Sequence, residues 1–262
     1  MTLDLAREAR VVTALGRRAL TVQFRKAQLL MPTFVLPLML LAVIASGTSA
    51  ATNLPQFPDI ESYLTFVVPG TIVQGALLAG LTSGTALATD IEFGFFDRLL
   101  TAPVHRTSLV LGRLCGTVGL ALLQTAFFLV IALVFGARYP GGPFAALAVV
   151  GLAALTAVGI GGLASALALR TGSVSLLQSI FPFVFVLLFT APAFFPRELL
   201  TPVLEDVSRF NPLTYVVEAV RGLLAGDPSL GDPWWGLLAA ALLALATTAL
   251  ATVALKERLR RL

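Results

Sequence analysis

The stretch that decides the reading is DIEFGFFDRLLTAPVHRTSLVLG, residues 90–112. It carries charges of both signs and lies between two long runs that carry none, residues 62–89 and 114–137. Four further uncharged windows cover residues 27–58, 139–169, 171–196 and 233–255. Each exceeds the roughly 20 apolar residues that a membrane-spanning helix needs. In lipid, only helices and closed barrels satisfy the backbone. These windows are too long and too uniformly apolar for the alternating strands of a barrel. The sequence therefore predicts an all-α integral membrane protein with six transmembrane helices, and it makes residues 90–108 a hairpin held at one membrane face.

Composition agrees. The chain is 57% hydrophobic and only 12% charged, about half the charge of a soluble domain. The formal net charge of +4 does not point to nucleic acid, because the charges gather at the ends of apolar runs. With six spans, fourteen of the eighteen Lys and Arg fall on the side of the two termini and the 90–108 hairpin. The positive-inside rule makes that side cytoplasmic. No short apolar core precedes a small-residue cleavage site, so no cleavable signal peptide is expected.

Before the first span, Leu5, Ala9, Val12, Leu15, Ala19 and Val22 recur at helical spacing, with Glu8 interrupting the stripe. Residues 1–27 read as an amphipathic elbow lying on the inner leaflet; the alternative is a solvated basic tail. Residues 28–262 form the six-span transmembrane domain, with spans near 28–48, 63–88, 109–135, 144–169, 174–194 and 234–255. Ala76, Gly80 and Gly84 make a small-residue stripe suited to close packing within one subunit. Residues 196–232 are too amphipathic to span and too apolar for a free loop. There Asn211 and Pro212 make a helix start, and Gly226 a stop. Glu218 and Arg221 are spaced to pair. The expectation is an outer, re-entrant helix carrying Asn211, Pro212, Tyr215, Glu218 and Arg221.

The absences narrow function. The two lysines, Lys26 and Lys256, follow no Gly-rich loop, so a phosphate-binding loop for ATP is not expected. The single Cys115 and single His105 make no metal cluster, and no catalytic set can be drawn together. The spans hold no acid or His of the kind that relays protons or ions. Energy is therefore expected from another polypeptide, entering at the hairpin. Ile91, Phe95, Phe96, Leu99 and Leu100 form an apolar face there, with Gly94 interrupting and Pro103 marking a turn. Such a face suits a partner's groove; it equally suits the chain's own bundle. A lipid-modifying membrane enzyme and a non-transporting scaffold stay open as alternatives.

The hairpin pattern E-x-G-x-x-D-R-L-L-x-x-P-V-x-R, from Glu92 to Arg106 and followed by Gly112 and Arg113, resembles the cytoplasmic loop of ABC transporter permeases of the ABC-2 class. It is most similar to the daunorubicin-resistance type. The segment NPLTYVVEAVRGLL, residues 211–224, resembles the helix before that family's last span, and the resemblance covers essentially the whole chain. It implies the membrane subunit of a type V ABC exporter in a bacterial plasma membrane, with both termini cytoplasmic. Two permease subunits would pair with two separate ATPase subunits, which hold the ATP and Mg, leaving this chain without a cofactor. The loop between spans 2 and 3 would be a coupling helix seated on the ATPase. Carried over by position, Glu92, Gly94, Phe95, Phe96, Asp97, Arg98, Leu99, Leu100 and Pro103 become its contacts, and Arg106 and Arg113 anchors beside span 3. The chain departs from the pattern in setting Ile91 and Phe93 beside Glu92, where many members are more charged. The substrate path is expected at the dimer seam, with Gln74, Gln178, Phe181 and Phe185 suiting an amphipathic or lipid-like cargo.

Overall fold

The computed structural model describes residues 2–25, 27–47, 63–100 and 106–260. Among them there are ten α-helices and no strand: α1 (Thr2–Arg25), α2 (Ala27–Gly47), α3 (Tyr63–Glu92), α4 (Phe95–Leu100), α5 (Arg106–Val134), α6 (Gly142–Thr171), α7 (Val174–Phe189), α8 (Pro202–Phe210), α9 (Pro212–Ala225) and α10 (Pro233–Leu259). The expected outer loop around residues 53–61 lies outside the described residues.

Helix α3 is the axis of the bundle, buried along almost its whole length. Lipid tails are as apolar as Leu, so helices in a membrane associate through close van der Waals packing rather than the hydrophobic effect. The Ala76, Gly80 and Gly84 stripe does this within one subunit, as expected. A Cβ on Gly80 would stand 2.7 Å from the Gly161 backbone nitrogen of α6, and Gly84 faces Ala164. On its other side α6 receives α10, with Gly159 against Leu243 and Gly162 against Thr247.

A second glycine seam was not anticipated. Helix α1 lies along the start of α5, where a Cβ on Gly112 would meet Leu15 at 2.6 Å and one on Gly116 would meet Ala19 at 2.6 Å. The N-terminal helix is thus packed on the bundle rather than being a solvated tail, and it meets the residue 30–46 part of α2 at a bend of 71°.

Helices α3, α5, α6 and α10 are each long and apolar enough to cross a membrane, and the bent α1–α2 pair makes a fifth if counted as one span. The six-span expectation is not reproduced by helix length alone. The departure is sharpest at span 5: α7 stops at Phe189 with 16 residues instead of running to residue 194. The chain turns there because its carbonyls are claimed by another element. Asn211 Nδ2 donates to Leu187 O at 2.6 Å and to Thr190 Oγ1 at 3.0 Å. Arg221 Nη2 donates to Pro192 O at 2.7 Å.

Helix α9 follows the sequence reading closely. Asn211 accepts from Leu213 N–H as the N-cap, and Gly226 closes the helix at φ +69°, a conformation that costs glycine little. The helix is buried against α3, α6 and α10. Tyr215 OH donates to Arg209 O at 2.8 Å, tying α9 to α8. Between α5 and α6, Tyr139 OH donates to Leu129 O at 3.2 Å, and burial pushes its phenol well above the ordinary range.

Candidate functional site

The hairpin is built from the end of α3, the turn at Gly94 and the short α4. Gly94 sits at φ +69° with open space where a side chain would be, so the chain reverses there without strain. The apolar face of the hairpin is turned inward. Ile91 and Phe96 are buried and belong to the bundle core, and Leu100 packs against it. Of the two aromatics named for a partner's groove, Phe96 is buried in the chain's own bundle and Phe95 is half-buried. The outward aromatic is Phe93, 79% exposed, which the sequence reading left out of the contact set.

Three charges from distant parts of the chain lock the hairpin. The Asp90 carboxylate accepts from Arg113 of α5 and from Arg18 of α1, the latter at 3.3 Å. Arg18 also covers the Phe95 ring, 3.9 Å from its centroid. Arg113, expected as an anchor beside span 3, is 12% exposed and has Asp90 as its ion-pair partner. Asp97 pairs with Arg258 of α10 at 3.3 Å. Glu92 Oε1 accepts the Val174 N–H at 2.8 Å, capping the otherwise unsatisfied start of α7 together with Ser173. The hairpin thus touches α1, α5, α7 and α10 through side chains that sequence spacing does not connect. The only sign in the sequence was that these charges end uncharged runs. Arg98 lies on the exposed side. Pro103 and the side chain of Arg106 lie outside the described residues.

Beside the hairpin is a cavity of about 550 Å³ bounded by α1, α2, α3, α4, α5 and α7, within the ~300–1,000 Å³ of ligand pockets. Gln178 and Phe181 line it, as does Leu99. Phe185 packs against Phe181 with the rings tilted by 40° and their centroids 5.3 Å apart. Gln74 is elsewhere: it is buried in the core of α3, and neither amide atom has a hydrogen-bond partner. The structure therefore brings Gln178, Phe181 and Phe185 together and separates Gln74 from them.

On the opposite end, Glu218 and Arg221 of α9 each reach beyond their own helix. Glu218 takes Arg197 at 3.0 Å. Arg221 is buried, donates to the carbonyls of Pro192 and Ala193, and lies over the Phe66 ring at 3.8 Å. Asn211 and Pro212 start α9, and Asn211 bonds the end of α7.

A family model described as ABC-2 type transporter matches residues 10–225. The transport permease ycf38 of Porphyra purpurea is 32% identical over 212 residues, 80% of this chain and 72% of that protein. The daunorubicin resistance ABC transporter permease protein DrrB1 of Streptomyces coeruleorubidus is 26% identical over 178 residues, 66% of this chain and 61% of its own length. The probable doxorubicin resistance permease DrrC of Mycobacterium tuberculosis is 25% identical over 208 residues, 78% of this chain and 72% of its own. The matched region runs from the α1 that packs on α5, through the Asp90 hairpin, to the end of α9, and the chain accordingly belongs to the ABC-2 type transporter family, as a permease of several membrane helices that is not itself catalytic.

Proposed function

We propose that this permease is the membrane subunit of an ATP-driven exporter, and that the α3–α4 hairpin is where a separate ATPase subunit drives it. One observation carries the proposal. The hairpin apex is exposed at Phe93, yet its base is fastened to α1, α5, α7 and α10 by Asp90, Glu92 and Asp97. A push at Phe93 is then delivered to both termini of the chain and to the start of α7. The contact set expected from sequence divides accordingly. Phe93 and Arg98, at the exposed side, touch the ATPase. Phe95, Phe96, Leu99 and Leu100 transmit, and Glu92 and Asp97 tie the hairpin to α7 and α10.

In this reading α2 crosses alone and α7 crosses with the turn behind it, giving six spans with both termini cytoplasmic in a bacterial plasma membrane. A second permease subunit completes the path. The cargo is amphipathic or lipid-like, in keeping with the apolar Phe181–Phe185 face beside the cavity and with the drug-resistance relatives. ATP and Mg belong to the partner.

Phe93→Ala is the direct test. Removing an aromatic anchor from an interface costs roughly 2 kcal/mol or more. The substitution is expected to weaken copurification of the ATPase and to stop transport, while the permease itself elutes unchanged. Phe96→Ala is expected to lower the melting temperature instead, since that ring is in the core. Unchanged ATPase binding and unchanged transport in Phe93→Ala would contradict the assignment.

A further inference from the structure

The cavity beside the hairpin has a polar end and an apolar end, and the charges at the polar end do not balance. Arg18 and Arg113 both line it, and among the described residues Asp90 is the one acidic side chain that does. Two guanidinium groups share one carboxylate, which leaves a positive charge next to a largely apolar chamber. Arg113 is 12% exposed and Arg18 37%, so the excess charge is only partly hydrated, and a partly desolvated charge without a partner carries a cost. Gln23 of α1 also lines the cavity, is 4% exposed, and its Oε1 has no hydrogen-bond partner. A buried acceptor left open is a cost of the same kind. A ligand group that offers both a negative charge and a hydroxyl donor would remove both.

The other walls include Leu36 of α2, Leu78 and Leu81 of α3 and Phe181 of α7, with the hydroxyl-bearing Thr82 and Thr85 among them. Leu36 is 41% exposed, and the same helix continues outward with Met31 and Met39 at 62% and 63%. The apolar end of the cavity is therefore continuous with a flank that a bilayer would cover.

We propose that this cavity binds an anionic phospholipid whose headgroup carries a hydroxyl, with the phosphate between Arg18 and Arg113, the hydroxyl donating to Gln23 Oε1, and an acyl chain along Leu36 and Phe181. The arginine fork suits this role: its planar donors engage phosphate oxygens in pairs while Asp90 holds the opposite edge. The inference deepens the exporter reading at the α7 end of the path, and rests on it for the direction in which the ligand moves. Binding itself needs no ATPase.

The test uses the purified full chain in an uncharged detergent, offered an equimolar mixture of phosphatidylglycerol and phosphatidylcholine, with retained lipid counted by native mass spectrometry. Phosphatidylglycerol is expected to be retained preferentially. Arg18→Gln is expected to reduce that preference about tenfold, the loss of one charge-assisted hydrogen-bonding group. Leu36→Trp, which fills the apolar end and leaves every ion pair in place, is expected to abolish retention of both lipids. If Arg18→Gln fails to fold, Leu36→Trp together with Gln23→Leu decides the matter. Equal retention of the two lipids by the parent chain, or a preference untouched by Leu36→Trp, overturns the proposal. So does displacement of the lipid by an equal concentration of glycerol phosphate, which would make the site one for a soluble phosphate. A chain that selects phosphatidylglycerol but holds no ATPase contradicts the exporter reading alone. A chain that holds the ATPase and selects no lipid contradicts the site alone.

Discussion

Asp90→Ala is expected to destabilise the permease by about 2–3 kcal/mol, the cost of stranding the largely buried Arg113 in a part-buried ion cluster. The reason is geometric. Arg113 is buried within α5 and Arg18 comes from α1, and the Asp90 carboxylate is the ion-pair partner that the structure gives to each. Without it two guanidinium groups face each other at short range in surroundings that water reaches poorly. The loss should be seen as a lowered melting temperature in detergent and as release of α1 from the bundle, read by faster proteolysis near residue 18. Replacing Arg113 by Met in the same chain removes one of the stranded charges and should recover a large part of the loss. A double-mutant cycle separates this coupling from a mere cavity effect. An Asp90→Ala chain as stable as the parent would show that the three charges do not hold the hairpin.

The second large effect is expected at Arg221. Its guanidinium donates to Pro192 O at 2.7 Å, to Ala193 O at 3.4 Å and to Phe66 O at 3.5 Å, over the Phe66 ring. The Pro192 and Ala193 carbonyls lie where α7 has ended and the chain turns back, so they have no place in a helix ladder, and Phe66 brings α3 to the same guanidinium. Arg221→Met keeps the apolar stem and removes every donor. Each stranded carbonyl costs about 1–3 kcal/mol, so the substitution is expected to cost roughly 3 kcal/mol in all and to loosen the 190–196 turn. Amide exchange in that turn should rise, with α6 and α10 unchanged. Arg221→Lys keeps the charge but not the planar fork, and should fall between the two. If Arg221→Met left exchange at 190–196 as it was, the turn would be held by something other than this side chain.

Much of the architecture was legible because lipid reduces the choices. Uncharged windows had to be helices, the Ala76–Gly80–Gly84 stripe had to be a close contact, and Asn211–Pro212 with Gly226 had to bound a helix. What was not legible depended on pairings between distant segments. Nothing near Asp90 in the chain announces Arg18 or Arg113, and nothing near Leu15 and Ala19 announces Gly112 and Gly116. Helical periodicity identified an apolar face on the hairpin but not which surface covers it. The bundle covers Phe96, and Phe93 on the other side of the Gly94 turn is left outside. The same ambiguity placed Gln74 with Gln178, although α3 buries the first in the core and α7 sets the second at the cavity. Span 5 was drawn too long because the apolar run continues past Phe189; the hydrogen bonds of Asn211 and Arg221 end the helix before the apolar run ends.

The central claim is that force from an ATPase enters at the apex of the α3–α4 hairpin. Its most direct test is a site-specific crosslink: a photoreactive residue in place of Phe93, in membranes that also contain the cognate ATPase, with a second chain carrying it in place of the equally exposed Phe144 of α6. The account predicts a permease–ATPase adduct from position 93 whose yield changes when ATP is added, and none from position 144. An adduct from position 144 with none from position 93 would contradict it.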